Sequence, residues 1–231
     1  VLNLPGPCSP GALEQQVLQA MSLDRDPSAA ALAMDFGLLH GAGATTTQQV
    51  WTATTPQDML QDRLGLAESA GLIPTVVDGQ AQACARTAAL LLRMRPATNP
   101  AGVTAFVQLL SDGASLQLLA GHKVVHQSAV WPSCPQTVFE LCQLLQSEMA
   151  SVTWGGPRAR LELILLTSDA HQEPPWCETL ALQAGCDCEW ADPVKALRHD
   201  HQALSPGPIP QASAGLMTAC GLALRRFKDL C

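Results

Sequence analysis

The residue types best suited to chemistry fall in two places. The first is Cys186-Asp187-Cys188, followed by His199-Asp200-His201, with Cys177 upstream. Sulfur and imidazole ligands suit zinc. Cysteines one residue apart in a strand point to the same face, so both would reach one ion. The spacing is Cys-x-Cys and His-x-His, not the usual Cys-x₂-Cys. Two buried cysteines and two exposed loop histidines account for the same residues. The second place is Leu109-Leu110-Ser111-Asp112-Gly113, an acid and a glycine at the end of an apolar run. Backbone amides free of a Cβ can wrap phosphate oxygens, and an acid at a strand end can hold Mg²⁺ through water. An Asp-Gly pair is also the composition of an ordinary hairpin turn.

Other chemistry has little support. No Gly-x-Ser-x-Gly elbow occurs. Gly155-Gly156 sits between a helix and a strand, the wrong order for a phosphate loop. His122 and His126 alternate with apolar residues and read as the solvent face of a strand. Asp78, at a strand end, reads either as an acid at an interdomain cleft or as a turn or cap residue.

Composition narrows the classes. Apolar residues make up 47% of the 231 positions and charged residues 14%, which describes a globular chain, not a disordered one. The net charge of −7 argues against a nucleic-acid surface. No apolar run reaches the roughly 18 residues a membrane helix needs. The nine cysteines are an odd number and sit mostly among apolar neighbours, which fits free thiols in a reducing cytoplasm. The chain opens on Val1 with no signal-peptide pattern, and is expected to be cut from something longer. Arg225-Arg226-Phe227-Lys228 reads as a weak anionic-lipid contact or, more simply, a solvated helix end.

These residues need elements to position them. Leu2–Leu4 is a short extended run, and Ser9-Pro10 starts a helix with Leu13, Val17, Leu18 and Met21 on one face. Residues 29–39 look extended at their end, and Gln49–Thr54 is a strand. Thr55-Pro56-Gln57-Asp58 resembles a capping box before a helix that stops at Gly71. Leu72–Val77 is a strand and Ala81–Arg93 an alanine-rich helix. Pro96 and Pro100 mark a linker. Three strands follow, at Val103–Leu110, Ser115–Leu119 and Lys123–Val130. A helix starts at Pro135, the nearly all-apolar Leu161–Leu166 is a strand buried on both faces, and a helix from Pro174-Pro175 ends at Gly185. Cys186–Trp190 is a short strand. A last helix is lined by Ala212, Ala214, Gly215, Ala219, Gly221 and Ala223.

The order β-β-β-α-β-α-β-α between Thr104 and Lys228 is that of a ribonuclease-H-like half, the unit duplicated in actin-like ATPases. The expected class is α/β and actin-like, with the first half truncated and an FtsA-like subdomain inserted. The divisions are 1–46, an inserted α+β subdomain; 47–95, the tail of the first half; 96–102, the linker; and 103–231, the second half.

Three segments resemble the PilM family of type IV pilus assembly proteins, actin-like relatives of FtsA, with divergent HofM-like members nearest in pattern. They are residues 70–78, Ala-Gly-Leu-Ile-Pro-Thr-Val-Val-Asp, with the alanine-rich helix after them; Leu163 to Pro193, ending in Asp-Pro; and residues 219–225, Ala-Cys-Gly-Leu-Ala-Leu-Arg. The resemblance implies a cytoplasmic scaffold, peripheral to the inner membrane, that binds the short cytoplasmic tail of a PilN-like membrane partner in a groove beside residues 2–39. It also implies two degenerate nucleotide loops. Asp112 and Gly113 stand adjacent where the family has Asp-Ile-Gly after a strand. Thr167, Ser168 and Asp169 stand where the family has a Gly-Gly pair. Trp131–Pro135 lacks the paired glycines of a third loop. ATP hydrolysis is therefore not expected, and neither ATP nor Mg²⁺ is expected as cofactor. The alternatives are an active actin-like ATPase or nucleotide switch, and the cytoplasmic domain of a type II secretion platform protein of the same fold.

Overall fold

A computed structural model describes residues 2–6, 9–23, 32–39, 47–95, 102–111, 113–128, 131, 133–151, 160–169, 175–196 and 214–225. The chain divides into two compact units, Val1–Val77 and Asp78–Cys231.

The first unit is built on β1 (Leu2–Pro5), α1 (Pro10–Leu23), β2 (Leu32–Leu39), β3 (Thr47–Pro56) and α2 (Gln57–Ser69). Its antiparallel sheet has the order β1-β3-β2. Leu13 and Val17, four apart on α1, meet Leu4 and Val50 in a small core flanked by Met21, Met34 and Phe36. Two expectations change here. The strand at 49–54, grouped by sequence with a ribonuclease-H-like half, is the central strand of this sheet. Leu2 pairs with Val50 on one edge and Leu32 with Pro56 on the other. Leu72–Val77 forms no strand, and its apolar side chains are exposed, Ile73 at 88%. β-branched composition favours a strand only where a second strand is present to share the ladder. The capping box at Thr55 is not made either; Pro56 is the N-cap of α2 and makes no side-chain cap bond, while Asp58 Oδ1 accepts the Met59 N–H at 2.7 Å in the first turn.

The second unit carries α3 (Gln80–Arg93), β4 (Gly102–Leu110), β5 (Gly113–Ala120), β6 (Lys123–Gln127), α4 (Val138–Ser151), β7 (Arg160–Ser168), α5 (Cys177–Ala184), β8 (Asp187–Trp190), the short α6 (Pro193–Ala196) and α7 (Ala214–Leu224). The strand order is β6-β5-β4-β7-β8. β4, β5 and β6 are antiparallel, while β7 lies parallel to both β4 and β8. Helices cover both faces. Leu141, Cys142 and Leu145 of α4 and Leu180 of α5 pack on Val103, Val107, Leu116, Ile164 and Leu166. Cys84, Ala88 and Ala89 of α3 and Met217 of α7 pack on Phe106, Leu119, Leu163 and Leu165. Two covered faces explain why β4 and β7 are mostly apolar along their length, whereas the edge strand β6 is half polar.

Helix ends obey local chemistry. α4 begins at Val138, three residues later than Pro135, because the Thr137 Oγ1 accepts the Glu140 N–H at 3.2 Å. α5 begins at Cys177, not at the prolines, and ends on left-handed Gly185. Helix α3, counted by sequence with the first half, packs inside the second unit against α7. Residues 96–101 of the expected linker lie outside the described residues, and Gly102 opens β4.

The α3–α7 contact is close because small residues face each other. The Thr87 Oγ1 donates to the Met217 carbonyl at 2.7 Å in a fully buried site. Thr87→Val keeps the shape and removes that bond, and is expected to cost about 1 kcal/mol. A urea-unfolding midpoint equal to or above wild type would contradict this.

Candidate functional site

β4 and β7 are parallel neighbours, with Leu109 beside Ser168, so the loops after them emerge side by side. Open α/β sheets bind ligands at the carboxyl ends of such strands. After β4, Ser111 is exposed, and Leu110 pairs with Gly113 as β5 begins. Asp112 lies outside the described residues. Gly113 is buried as the first residue of β5. Thr167 and Ser168 are buried at the end of β7, and Asp169 follows, exposed.

The structure thus brings Gly113, Thr167, Ser168 and Asp169 to one end of the sheet. Asp169 joins the two loops. Its N–H donates to the Leu109 carbonyl at 3.2 Å, and its Oδ2 accepts the Ser111 N–H at 2.9 Å.

A buried polar row lies below this end, on the α3 face. The Gln108 amide donates to Cys84 Sγ at 3.2 Å, and the Ser115 hydroxyl donates to Gln108 Oε1 at 3.2 Å. Gln117 Nε2 donates to the Ala81 carbonyl at 3.0 Å, while its buried Oε1 has no partner among the described residues. The sequence reading missed these residues. The available signal was polar residues at matching parity (Gln108, Ser115 and Gln117) inside otherwise apolar strands. Burial pushes the Cys84 thiol up, opposed by its bonds to Thr218 and Gln108 and by the nearby Arg86.

Asp78 is a connector. Its Oδ1 accepts the Gly79 N–H at 2.9 Å at the start of α3. Its Oδ2 meets Arg86 of α3, and Arg225 at the end of α7 at 3.0 Å. Arg86 Nε also donates to the Gly221 carbonyl at 3.0 Å. His122 falls in the exposed turn before β6. His126, expected on a solvent face, turns toward α4 and meets Glu148 at 2.9 Å, where Trp131 Nε1 also donates at 3.4 Å.

Two cysteines of the metal reading, Cys186 and Cys188, have their thiols pushed up. Burial, then Asp187 and Cys142, push Cys186 up to about 11. Burial first, then the adjacent Cys177 thiol, push Cys188 well above the ordinary range. Cys177, Cys186 and Cys188 all pack on the α4–α5 side of the core. His199 and His201 lie outside the described residues. Among the described residues no three histidine, cysteine or acidic side chains are grouped to hold a metal, and no helix is long and apolar enough to cross a membrane.

No protein-family model and no curated protein matches the chain by sequence. Solved structures do match. A chain of a PilM–PilN type IV pilus biogenesis complex superposes with a TM-score of 0.72 at 19% identity, covering 97% of this chain and 74% of that one. A Bacteroides thetaiotaomicron protein with an actin-like ATPase fold and unknown function gives a TM-score of 0.48 at 7% identity, covering 84% and 68%. The chain is α/β and shares the fold of the pilus-complex chain. Among solved structures it is similar to the chain from the pilus complex over nearly its whole length.

Proposed function

We propose that this chain is a scaffold of a type IV pilus assembly machine. It holds the short cytoplasmic tail of a PilN-like inner-membrane partner and so sits at the inner face of that membrane without crossing it. The observation that carries this reading is the superposition of 97% of the chain on a protein solved in a PilM–PilN complex. The sheet of the first unit suits a peptide groove. α1 buries Leu13 and Val17 but leaves Leu18 half exposed, and Leu38 of the edge strand β2 is exposed to the same degree. A peptide has exposed leucines to cover and, among the described residues, an edge strand to pair with.

ATP and Mg²⁺ fit this chain poorly, and we read it as non-enzymatic. Where a phosphate loop needs unencumbered amides, the Ser111 amide already serves a carboxylate. Where backbone would need to approach a nucleotide closely, Thr167 and Ser168 carry buried side chains. The test is calorimetry with two titrants. A synthetic peptide copying the cytoplasmic tail of the PilN-like protein from the same cell is expected to bind in the micromolar range. Mg·ATP at millimolar concentration is expected to give no heat and no thermal shift. A folded chain that ignores the peptide refutes the scaffold reading. Micromolar ATP binding would replace it with a nucleotide-dependent switch.

A further inference from the structure

We propose that Cys177 and Cys188 form an oxidant-sensitive dithiol site, at which a peroxide closes a reversible disulfide between the first turn of α5 and the edge strand β8. This goes beyond the scaffold reading and does not depend on it.

Two separate features bring the sulfurs together. The first is the reversal of the chain between α5 and β8. Left-handed Gly185 ends α5, and the N–H groups of Gly185 and Cys186 both return to the Ala181 carbonyl, at 2.9 and 3.3 Å. The chain then runs on as β8. At about 1.5 Å per residue, Cys177 stands about 12 Å up the helix from this turn. At about 3.3 Å per residue, Cys188 stands about 10 Å along the strand. The two are therefore level, whereas Cys186 lies about 7 Å back toward the turn. The second feature is the direction of the side chains. Cys177, Leu180 and Ala184 recur at the spacing of one helix face. Leu180 is fully buried, and Cys177, Ala184 and Cys188 all pack on the same core. Asp187 and Glu189, the neighbours of Cys188 in β8, are exposed, so Cys188 takes the opposite, inward face. The Cys177 and Cys188 thiols are hydrogen-bond partners. Among the described residues no third ligand joins them to hold a metal. Both cysteines are only half-buried, which leaves a small peroxide a route from solvent.

The chemistry balances in two steps. The Cys177 sulfur attacks one oxygen of hydrogen peroxide, the O–O bond breaks, water leaves and Cys177 becomes a sulfenic acid. The Cys188 sulfur then attacks the Cys177 sulfur. An S–S bond forms, the S–O bond breaks, and the hydroxyl leaves as a second water with the Cys188 proton. The two thiols lose two electrons and two protons, and one peroxide is reduced to two waters. Burial first, and then the Cys177 contact, push the Cys188 thiol up, which leaves the first attack to Cys177.

The test uses the full chain, reduced, freed of reductant and then treated with hydrogen peroxide. Remaining thiols are alkylated with iodoacetamide in denaturant. Disulfides are then reduced and the released thiols take isotopically heavy iodoacetamide, and peptide mass spectrometry reads each cysteine. Wild type is expected to lose two hydrogen masses, to carry the heavy label on Cys177 and Cys188 together, and to recover both thiols in dithiothreitol. The oxidised chain should melt roughly 5 °C above the reduced one. Folded Cys188→Ser should stop at a Cys177 sulfenic acid that dimedone traps, and should lose the rise in melting temperature. Wild type that keeps both thiols light after peroxide, that pairs Cys188 with Cys186 or Cys142, or that carries a sulfinic acid at Cys177 in place of the disulfide overturns the proposal. The wild-type labelling decides the matter even where the serine variant does not fold.

Discussion

Gly221→Ala is expected to destabilise the second unit by about 3 kcal/mol, lowering its melting temperature by several degrees. Considered as a helix substitution alone, the change should help, since alanine is favoured over glycine in a helix interior by about 1 kcal/mol. Packing reverses the sign. A Cβ on Gly221 would overlap the carbonyl group of Ala83 and lie 2.8 Å from its Cα. These are backbone atoms of α3, and they cannot yield as a flexible side chain would. Around them α3 is fixed to α7 by Arg86 to the Gly221 carbonyl, by Thr87 to the Met217 carbonyl, and by Cys84 against Thr218 at 3.3 Å. Gly215 on the same helix is the control. It is exposed, a Cβ there meets nothing within 4 Å, and Gly215→Ala should be neutral or mildly stabilising. Equal denaturation midpoints for the two variants would show that the close approach is not real.

Asp78→Ala should cost roughly 2–4 kcal/mol, below the 3–5 kcal/mol of a fully buried pair because water still reaches the arginines. The Asp78 side chain is 8% exposed and that of Arg86 18%. Removing the carboxylate leaves Arg86 between two helices with its charge unmatched, and also removes an acid from the start of α3, where negative charge is favourable. Replacing both partners with apolar residues, Asp78→Leu with Arg86→Met, should cost less than Asp78→Ala alone, because no charge is stranded. Arg225 is 47% exposed, and Arg225→Ala should change stability by less than about 1 kcal/mol. If Asp78→Ala unfolds at the same urea concentration as wild type, the connector has no energetic role.

The second unit was legible in the sequence because its signals are local and agree with each other. The apolar run at 161–166 belongs to a strand flanked by two others and covered on both faces. Gly185 ends α5 where sequence places the end. The first unit was harder to read because its arrangement depends on pairing. Nothing in residues 49–54 says which strands they join, and the answer comes from Leu2, far upstream beyond α1, and from Leu32 in the preceding strand. Leu72–Val77 has strand composition without a ladder. At the candidate site the loops were identifiable by type, as glycine-poor turns after strands. The bond between Asp169 and Ser111 was not, because it spans 58 positions and depends on β4 and β7 lying side by side.

The pairing of α3 with α7 also sets a timetable for synthesis. Thr87 and Met217 are 130 positions apart. On a ribosome adding about 5–20 residues per second, the alanine face of α3 must wait on the order of ten seconds for its partner helix. In that interval β4, β5 and β7 can assemble, but one face of their sheet lacks its last covering helix. Molecular chaperones would therefore be expected to engage this chain late in its translation and to let go once residues 214–224 have cleared the exit tunnel.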